Sequence, residues 1–162
     1  ESLSSGKIDG VCLWLDNGKS PVVGMSLRFD RIDNFWFVLM HELEHVFNKD
    51  GKVDAMIDEL DGEKAGVGAG LPEQERLANA AAAAFCVPPK EMDSWIARKH
   101  PYYSEADLIG FAHRIQVHPG IAAGQLRSRI NNYKIFTKHL AKIRASVLSS
   151  AVVDGFGQIA PV

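Results

Sequence analysis

The chain has 162 residues, of which 46% are hydrophobic and 23% are charged, and its formal net charge is −2. A chain of this length can form one domain whose hydrophobic core is large enough without disulfides or structural metal ions. The two cysteines, Cys12 and Cys86, lie in apolar runs, which predicts core positions rather than a disulfide framework. The sequence has no signal peptide and no apolar run near the roughly 20 residues of a membrane-spanning helix, so we expect a cytoplasmic protein with no membrane partner.

The first predicted element is a β-hairpin. Residues 11–15 and 22–27 are short β-prone runs, and the Asn17-Gly18 pair between them is a strong hairpin signal. Pro21 begins the second run, which indicates an edge strand because proline cannot donate a hydrogen bond to a neighbour.

The second predicted element is a helix at about residues 34–48, with Asp33 as its candidate N-cap. It carries His41, Glu42 and His45 in the H-E-x-x-H pattern that is typical of zinc-dependent hydrolases. Positions four apart share one helix face, so both imidazoles can bind one ion. Glu42 then lies beside that ion, where a general base for its bound water belongs. The competing interpretation, two surface histidines at this spacing by chance, is rare for this composition.

An acidic, glycine-rich segment follows at residues 50–71, with one short helical turn predicted at residues 54–60. Such a segment is long for a compact domain. We expect it to be mobile and to gate access to the metal at the mouth of the site.

The remainder of the chain is predicted to be helical, with proline or glycine at the breaks and a capping box that begins at Ser104. The predicted segments are residues 72–87, 90–99, 104–116 and 121–148, followed by a flexible tail at 149–162. The sequence therefore predicts one α+β domain over residues 1–148. In it, a small N-terminal β-hairpin or sheet packs on a helical bundle that carries the H-E-x-x-H helix.

A catalytic zinc site generally needs a third protein ligand. The pattern with a third histidine after the motif fails here, because Asn48 and Gly51 occupy the required positions. A downstream carboxylate is the other common solution, and the candidates are Glu59, Glu63, Glu73 and Glu75. The first two border the acidic loop, which is a poor platform for a ligand. The last two lie in the first turn of a predicted helix, where glutamate also complements the helix dipole.

Further strings accompany the motif: Phe35-Trp36-Phe37 before it, Glu75-x-x-Ala78-Asn79-x-x-Ala82 some thirty residues later, and then Val87-Pro88. Together they resemble the ImmA/IrrE family of zinc metallopeptidases. The strings from Arg28 to Asn34 and from Phe111 to Leu126 are similar to the subgroup that is fused to helix-turn-helix regulators. The resemblance covers roughly residues 8–130.

This resemblance implies a zincin-like site in which His41, His45 and Glu75 hold Zn²⁺ and Glu42 is the general base. The sequence departs from the family pattern at two positions. Glu44 lies where the family usually has a small residue, and Ala81 lies where it usually has phenylalanine. A stabiliser for the developing oxyanion is also expected. The candidates are His100, Tyr102, Tyr103, His113 and His118. Of these we prefer His118 as a catalytic residue, although a capping or packing role is the more frequent one for such a histidine.

The resemblance further implies a zinc-dependent endopeptidase that cleaves or regulates a repressor or antitoxin. The alternative is a non-catalytic sensing domain at the C-terminal end of an antitoxin-like transcriptional regulator. In either case DNA contact is expected from an N-terminal domain that is missing from this sequence. Residues 105–130 could themselves form a helix-turn-helix, but Gly124 and its neighbouring alanines favour close packing.

The charges are distributed unevenly along the chain. Residues 1–107 hold 19 of the 20 acidic residues and 11 Lys/Arg, whereas the chain from Leu108 onward holds 7 Lys/Arg and only Asp154. This asymmetry indicates either a surface for an acidic partner or a basic helix that packs against the acidic half.

Overall fold

The computed structural model describes residues 8–26, 29–52, 56–58 and 72–147, and over these ranges it shows a small α+β fold. An antiparallel sheet has the strand order β2-β1-β3, with β1 at Gly10–Leu15, β2 at Ser20–Met25 and β3 at Met56–Asp58. The helices are α1 (Ile32–Asn48), α2 (Glu73–Cys86), α3 (Pro89–Lys99), α4 (Glu105–Arg114), α5 (Pro119–Arg129) and α6 (Arg144–Val147), with a 3₁₀ turn at Thr137–His139. No helix in these ranges is long and apolar enough to cross a bilayer.

The β-hairpin is confirmed. Asp16, Asn17 and Gly18 all have positive φ, at 51°, 56° and 79°. Such angles suit aspartate, asparagine and glycine, and they allow the chain to reverse between the paired residues Leu15 and Ser20. β2 lies at one edge of the sheet, which agrees with its proline. The predicted end of this strand at Leu27 lies outside the described residues.

The prediction of a helical turn at residues 54–60 is wrong, because Met56–Asp58 form strand β3. β3 pairs with the first half of β1, with Cys12 opposite Met56 and Gly10 opposite Asp58. A segment of three residues carries little local preference, and the open edge of β1 supplies the hydrogen bonds that decide its conformation. Residues 50–52 of the predicted mobile loop form the turn after α1, and residues 53–55 and 59–71 lie outside the described residues.

Helix α1 begins two residues earlier than the sequence indicated, with Arg31 as its N-cap residue. Asp33 is therefore not the cap but a buried residue of the first turn. Its carboxylate accepts a hydrogen bond of 3.0 Å from Nε of Arg31, and an added Cβ on Gly124 of α5 would lie 2.3 Å from its Oδ2. The close approach of α5 thus places Asp33 inside the domain, which local sequence rules do not anticipate.

The hydrophobic core joins α3, α4 and α5. Its centre is a stacked pair of rings, Trp95 and Phe111, with centroids 4.4 Å apart. The buried members are Val87, Met92, Trp95, Leu108, Phe111, Ala112, Ala122, Ala123 and Leu126. The free cysteines Cys12 and Cys86 are also buried, as predicted. Burial, together with the charge of Asp33, raises the pKa of the Cys86 thiol to about 12.

The capping box at the start of α4 is confirmed: the Asp107 backbone N–H donates to Oγ of Ser104 at 3.1 Å. Lys99, and then Ser104, lower the pKa of Asp107 to about 2. α4 and α5 are joined by a short turn, but α5 buries Ala122, Ala123 and Leu126. This burial supports the close-packing interpretation of residues 105–130 over a recognition helix.

The predicted long helix at residues 121–148 is wrong, because α5 ends at Arg129. Asn131 has a left-handed φ of 49°, and the buried Arg127 side chain donates to the Tyr133 carbonyl oxygen, so the chain turns away instead of continuing. Residues 148–162, including the predicted tail, lie outside the described residues.

The segment after α5 returns to the start of α1. Oδ1 of Asp30 accepts hydrogen bonds from the backbone N–H groups of Ile143, at 3.0 Å, and Arg144, at 2.7 Å. The Ile32 N–H donates to the Ala141 carbonyl oxygen at 2.9 Å. The bond to the Arg144 N–H is the main cause of the lowered pKa of Asp30. Residues more than a hundred positions apart are thereby joined at the N-terminal end of the motif helix.

Candidate metal centre

The motif residues occupy the buried face of α1. His41, Glu42 and His45 each have 0% exposure, which is unusual for ionisable side chains without a shared function. α2 packs against this face, and its Glu75 is 9% exposed. The exposed Glu73 lies two residues earlier, and Glu59 and Glu63 fall outside the described residues. Of the four sequence candidates for a third ligand, Glu75 is therefore the one that the structure brings to the histidines.

The three side chains converge. Nε2 of His41 and Nε2 of His45 are 3.1 Å apart. Glu75 places its Oε2 3.2 Å from Nε2 of His41 and its Oε1 3.4 Å from Nε2 of His45. One ligand atom from each residue lies within 4.8 Å of the others. This buried group of His41, His45 and Glu75 can hold a metal ion.

The spacing fits a metal better than it fits three independent side chains. Ligand atoms of a tetrahedral ion with bonds of about 2.0–2.1 Å lie roughly 3.3 Å from one another, close to the three distances observed. Two imidazole nitrogens that face each other in a dry site repel through their lone pairs unless a proton or a cation lies between them. Two histidines and a glutamate are a donor set that suits zinc.

A second carboxylate orients one of the ligands. Nδ1 of His45 is 3.0 Å from Oδ2 of Asp50, so the imidazole can donate its other N–H there while Nε2 faces the metal position. The local chain conformation makes this contact possible: Lys49 is left-handed, with φ of 62°, and the Asp50 N–H donates to the His45 carbonyl oxygen. Nε1 of Trp14 donates to the Asp50 carbonyl oxygen at 2.6 Å, which ties this turn to the sheet.

Asp50 is not among the site residues that the sequence predicts, because it belongs to the acidic segment that follows the motif helix. The available signal was a carboxylate directly after a helix whose last turn carries a metal ligand. Outer-shell carboxylates of this kind recur beside histidine ligands, because they fix the tautomer and the ring orientation.

The charges and hydrogen bonds of the three residues change one another's pKa values. Hydrogen bonds from His41 and His45 hold the pKa of Glu75 well below its usual range. Burial lowers the pKa of His45, but the hydrogen bonds with Glu75 and Asp50 outweigh it, and the net effect is a raised pKa. A metal ion that binds His45 therefore competes with a proton up to a higher pH than at an ordinary histidine.

We predict that the zinc affinity of the protein rises with pH. Below the raised pKa of His45 the apparent affinity should increase by about tenfold per pH unit, and above it the affinity should level off. Asp50→Asn, which removes one of the two carboxylates that raise this pKa, should move the steep range to lower pH. Competition with a chromophoric chelator between about pH 5.5 and about pH 8 measures both curves. An affinity that is flat over this range would contradict proton release from His45.

Glu42 lies against the first residue of β1. A Cβ added to Gly10 would lie 1.9 Å from Oε1 of Glu42 and 2.7 Å from its Cδ, so the absence of a side chain at this position makes room for the carboxylate. Sequence patterns do not predict this contact, because Gly10 lies 31 positions before His41 and belongs to a strand rather than a turn. The strand thus fixes the position of Glu42 next to the three converging residues His41, His45 and Glu75.

The structure gives His118 a capping role. Its Nδ1 accepts a hydrogen bond of 2.9 Å from the Gly120 N–H at the start of α5. His118 does not belong to the group whose ligand atoms converge with Glu75. Its catalytic assignment stays a prediction that none of its described contacts supports. Among the other oxyanion candidates, Tyr103 packs on Trp95, and the exposed ones are His100, Tyr102 and His113.

No protein-family model, no curated protein and no solved structure matches this chain. The resemblance of its motifs to the ImmA/IrrE family therefore stays a prediction.

Proposed function

We propose that the protein is a zinc-dependent endopeptidase whose site consists of His41, His45 and Glu75 as metal ligands and Glu42 as general base. The observation that supports it best is the convergence of the three ligand side chains, at 3.1 to 3.4 Å, together with the burial of Glu42 next to His41 on α1. The proposed substrate class, a repressor or antitoxin, rests on the resemblance of the sequence motifs.

The chain's own residues account for the proton transfers. When bound, zinc supplies Lewis acidity, which polarises a peptide carbonyl and acidifies a coordinated water. Glu42 follows His41 in sequence, so it lies beside the ligands without being one of the converging group. Its carboxylate takes the proton of the attacking water and delivers it to the leaving amine. Asp50 holds the His45 ring in the orientation that metal binding requires.

Cleavage of peptides by the zinc-loaded protein tests this proposal. The purified protein is stripped of metal, reloaded with zinc and incubated with a peptide library and with a panel of helix-turn-helix repressors, and the products are identified by mass spectrometry. Cleavage that requires zinc and stops on chelation supports the proposal. Metal analysis that finds iron in place of zinc, or zinc-loaded protein that cleaves nothing in either set, contradicts it.

One observation favours a second candidate function. The side chains of His41, Glu42 and His45 are wholly inaccessible to solvent, and a polypeptide must reach them to be cleaved. A sensing domain that binds the metal to stabilise one regulatory conformation needs no such access. Under this alternative, zinc should raise the melting temperature of the protein as strongly as it does for a peptidase, yet no peptide should be cleaved.

Gly10→Ala is predicted to reduce cleavage by roughly 100-fold, because the new methyl group displaces the Glu42 carboxylate from the attacking water. Zinc affinity should change little, since the three atoms nearest to the new methyl group all belong to Glu42 and not to a ligand. Gly110→Ala is the matched control: it lies in α4 with nothing within 4 Å of an added Cβ, and it should retain full activity. Equal activity in the two variants would remove the proposed role of Gly10.

A further inference from the structure

Asn79 is a buried polar residue of α2 that the mechanism has not used. It is 9% exposed, and its Oδ1 is buried and accepts no hydrogen bond from the residues that the structure describes. Burying an amide oxygen without a hydrogen bond destabilises a folded domain, so such a group calls for a partner that arrives with a ligand or a change of protonation.

The packing of α2 on α1 places Asn79 at the level of His41. Glu75 contacts the two motif histidines, whereas Phe85 lies 6.5 Å from the ring of Trp36 near the start of α1, so the two helices run antiparallel. Asn79 comes one helical turn after Glu75, on the same buried face of α2. Moving one turn along α2 from Glu75 leads from the midpoint of the two histidines towards His41.

His41 requires an acceptor once it binds a metal. Its Nε2 faces His45 and Glu75 and is the ligand atom, while its Nδ1 is buried on the opposite side of the ring. An imidazole that coordinates through Nε2 carries its proton on Nδ1, and ligand histidines donate that proton to a nearby oxygen. His45 already has such an acceptor, because its Nδ1 lies 3.0 Å from Oδ2 of Asp50.

We propose that Oδ1 of Asn79 accepts a hydrogen bond from Nδ1–H of His41 in the metal-loaded protein, and that Asn79 is thereby the positioning residue for this ligand. The inference rests on the metal site of the proposed function and is independent of peptide cleavage. It gives the two imidazoles different partners: His45 is held by a carboxylate and His41 by a neutral amide. The neutral partner holds the ring without adding a further negative charge beside Glu42.

Zinc affinity in three variants tests this proposal. Asn79→Leu has a similar size but no acceptor, and it should weaken zinc binding by about 10- to 100-fold. Asn79→Asp keeps an acceptor oxygen and should restore an affinity close to that of the wild type. Gln74→Leu is the matched control, because it removes an exposed amide from the same helix and should leave the affinity unchanged. Competition with a chromophoric chelator gives the affinities, and the visible spectrum of the cobalt-loaded proteins reports ligand geometry.

Each outcome has a separate meaning. Asn79→Leu with wild-type zinc affinity and an unchanged cobalt spectrum overturns the role of Asn79. A wild type that binds no zinc overturns the metal site of the proposed function before the variants are compared. If Asn79→Leu does not fold, a proton–nitrogen correlation spectrum of the zinc-loaded wild type decides instead. A His41 Nδ1 proton with a through-space contact to the Asn79 side chain supports the proposal, and one without such a contact overturns it.

Discussion

Glu42→Gln is expected to reduce peptide cleavage by the zinc-loaded protein by about 10²- to 10⁴-fold while zinc affinity stays close to that of the wild type. The substitution preserves the shape of a side chain that is fully buried and that contacts the backbone of β1, so the fold should not change. It removes the group that accepts the proton of the attacking water. Single-turnover cleavage of a verified substrate, together with a chelator competition, measures the two quantities.

Glu44→Gln is the matched control for this experiment. Glu44 lies on the same helix and accepts a hydrogen bond of 3.2 Å from Nδ2 of Asn48. Its loss should leave cleavage nearly unchanged, because a partly exposed charge is screened by solvent. Full activity in Glu42→Gln would refute the general-base assignment, and a large loss in Glu44→Gln would show that charge near the site matters more than the identity of the base.

Glu75→Ala is expected to weaken zinc binding by more than about 100-fold, since it removes a ligand outright rather than an outer-shell partner. Alanine is favoured within a helix, so α2 should persist, and the zinc-dependent rise in melting temperature should disappear. The loss of the carboxylate also removes a partner from both buried imidazoles, and the pKa of His45 should therefore fall, with only the Asp50 carboxylate left to oppose the effect of burial.

Glu73→Ala removes a glutamate from the same first turn of α2, but from an exposed position. Both substitutions take one negative charge from the helix N-terminus, so the pair separates ligation from the helix dipole. Wild-type zinc affinity in Glu75→Ala, or a large loss in Glu73→Ala, would show that the third ligand has been assigned to the wrong residue.

The parts of the site that the sequence predicted are those that depend on local geometry. Residues four apart on a helix must share a face, so His41 and His45 could be paired before the fold was known. The Asn17-Gly18 turn and the Ser104 capping box are equally local, and the structure confirms both. Glu75 required a resemblance to known motifs, because spacing alone left four glutamates open.

The features that the sequence did not predict depend on contacts between distant segments. β3 forms because β1 offers an open edge, and α5 ends at Arg129 because the following residues pack elsewhere. Gly10 and Glu42 meet only when the sheet covers α1, and no pattern in either segment records that contact. Asp33 was assigned to a cap by a sound local rule, yet tertiary packing against Gly124 buried it instead.

The hydrogen bonds that join residues 30–32 to residues 141–144 bear on the order in which the contacts of the protein form. Asp30 and Ile143 are 113 positions apart, so the ribosome delivers His41, His45 and Glu75 well before it delivers the residues that clamp the beginning of α1. Contacts of such long sequence separation form late, because their loop-closure entropy must be paid first. The nascent chain therefore holds His41, His45 and Glu75 while the first turn of α1 is still untethered, and the clamp closes only after residues 141–144 have been synthesised.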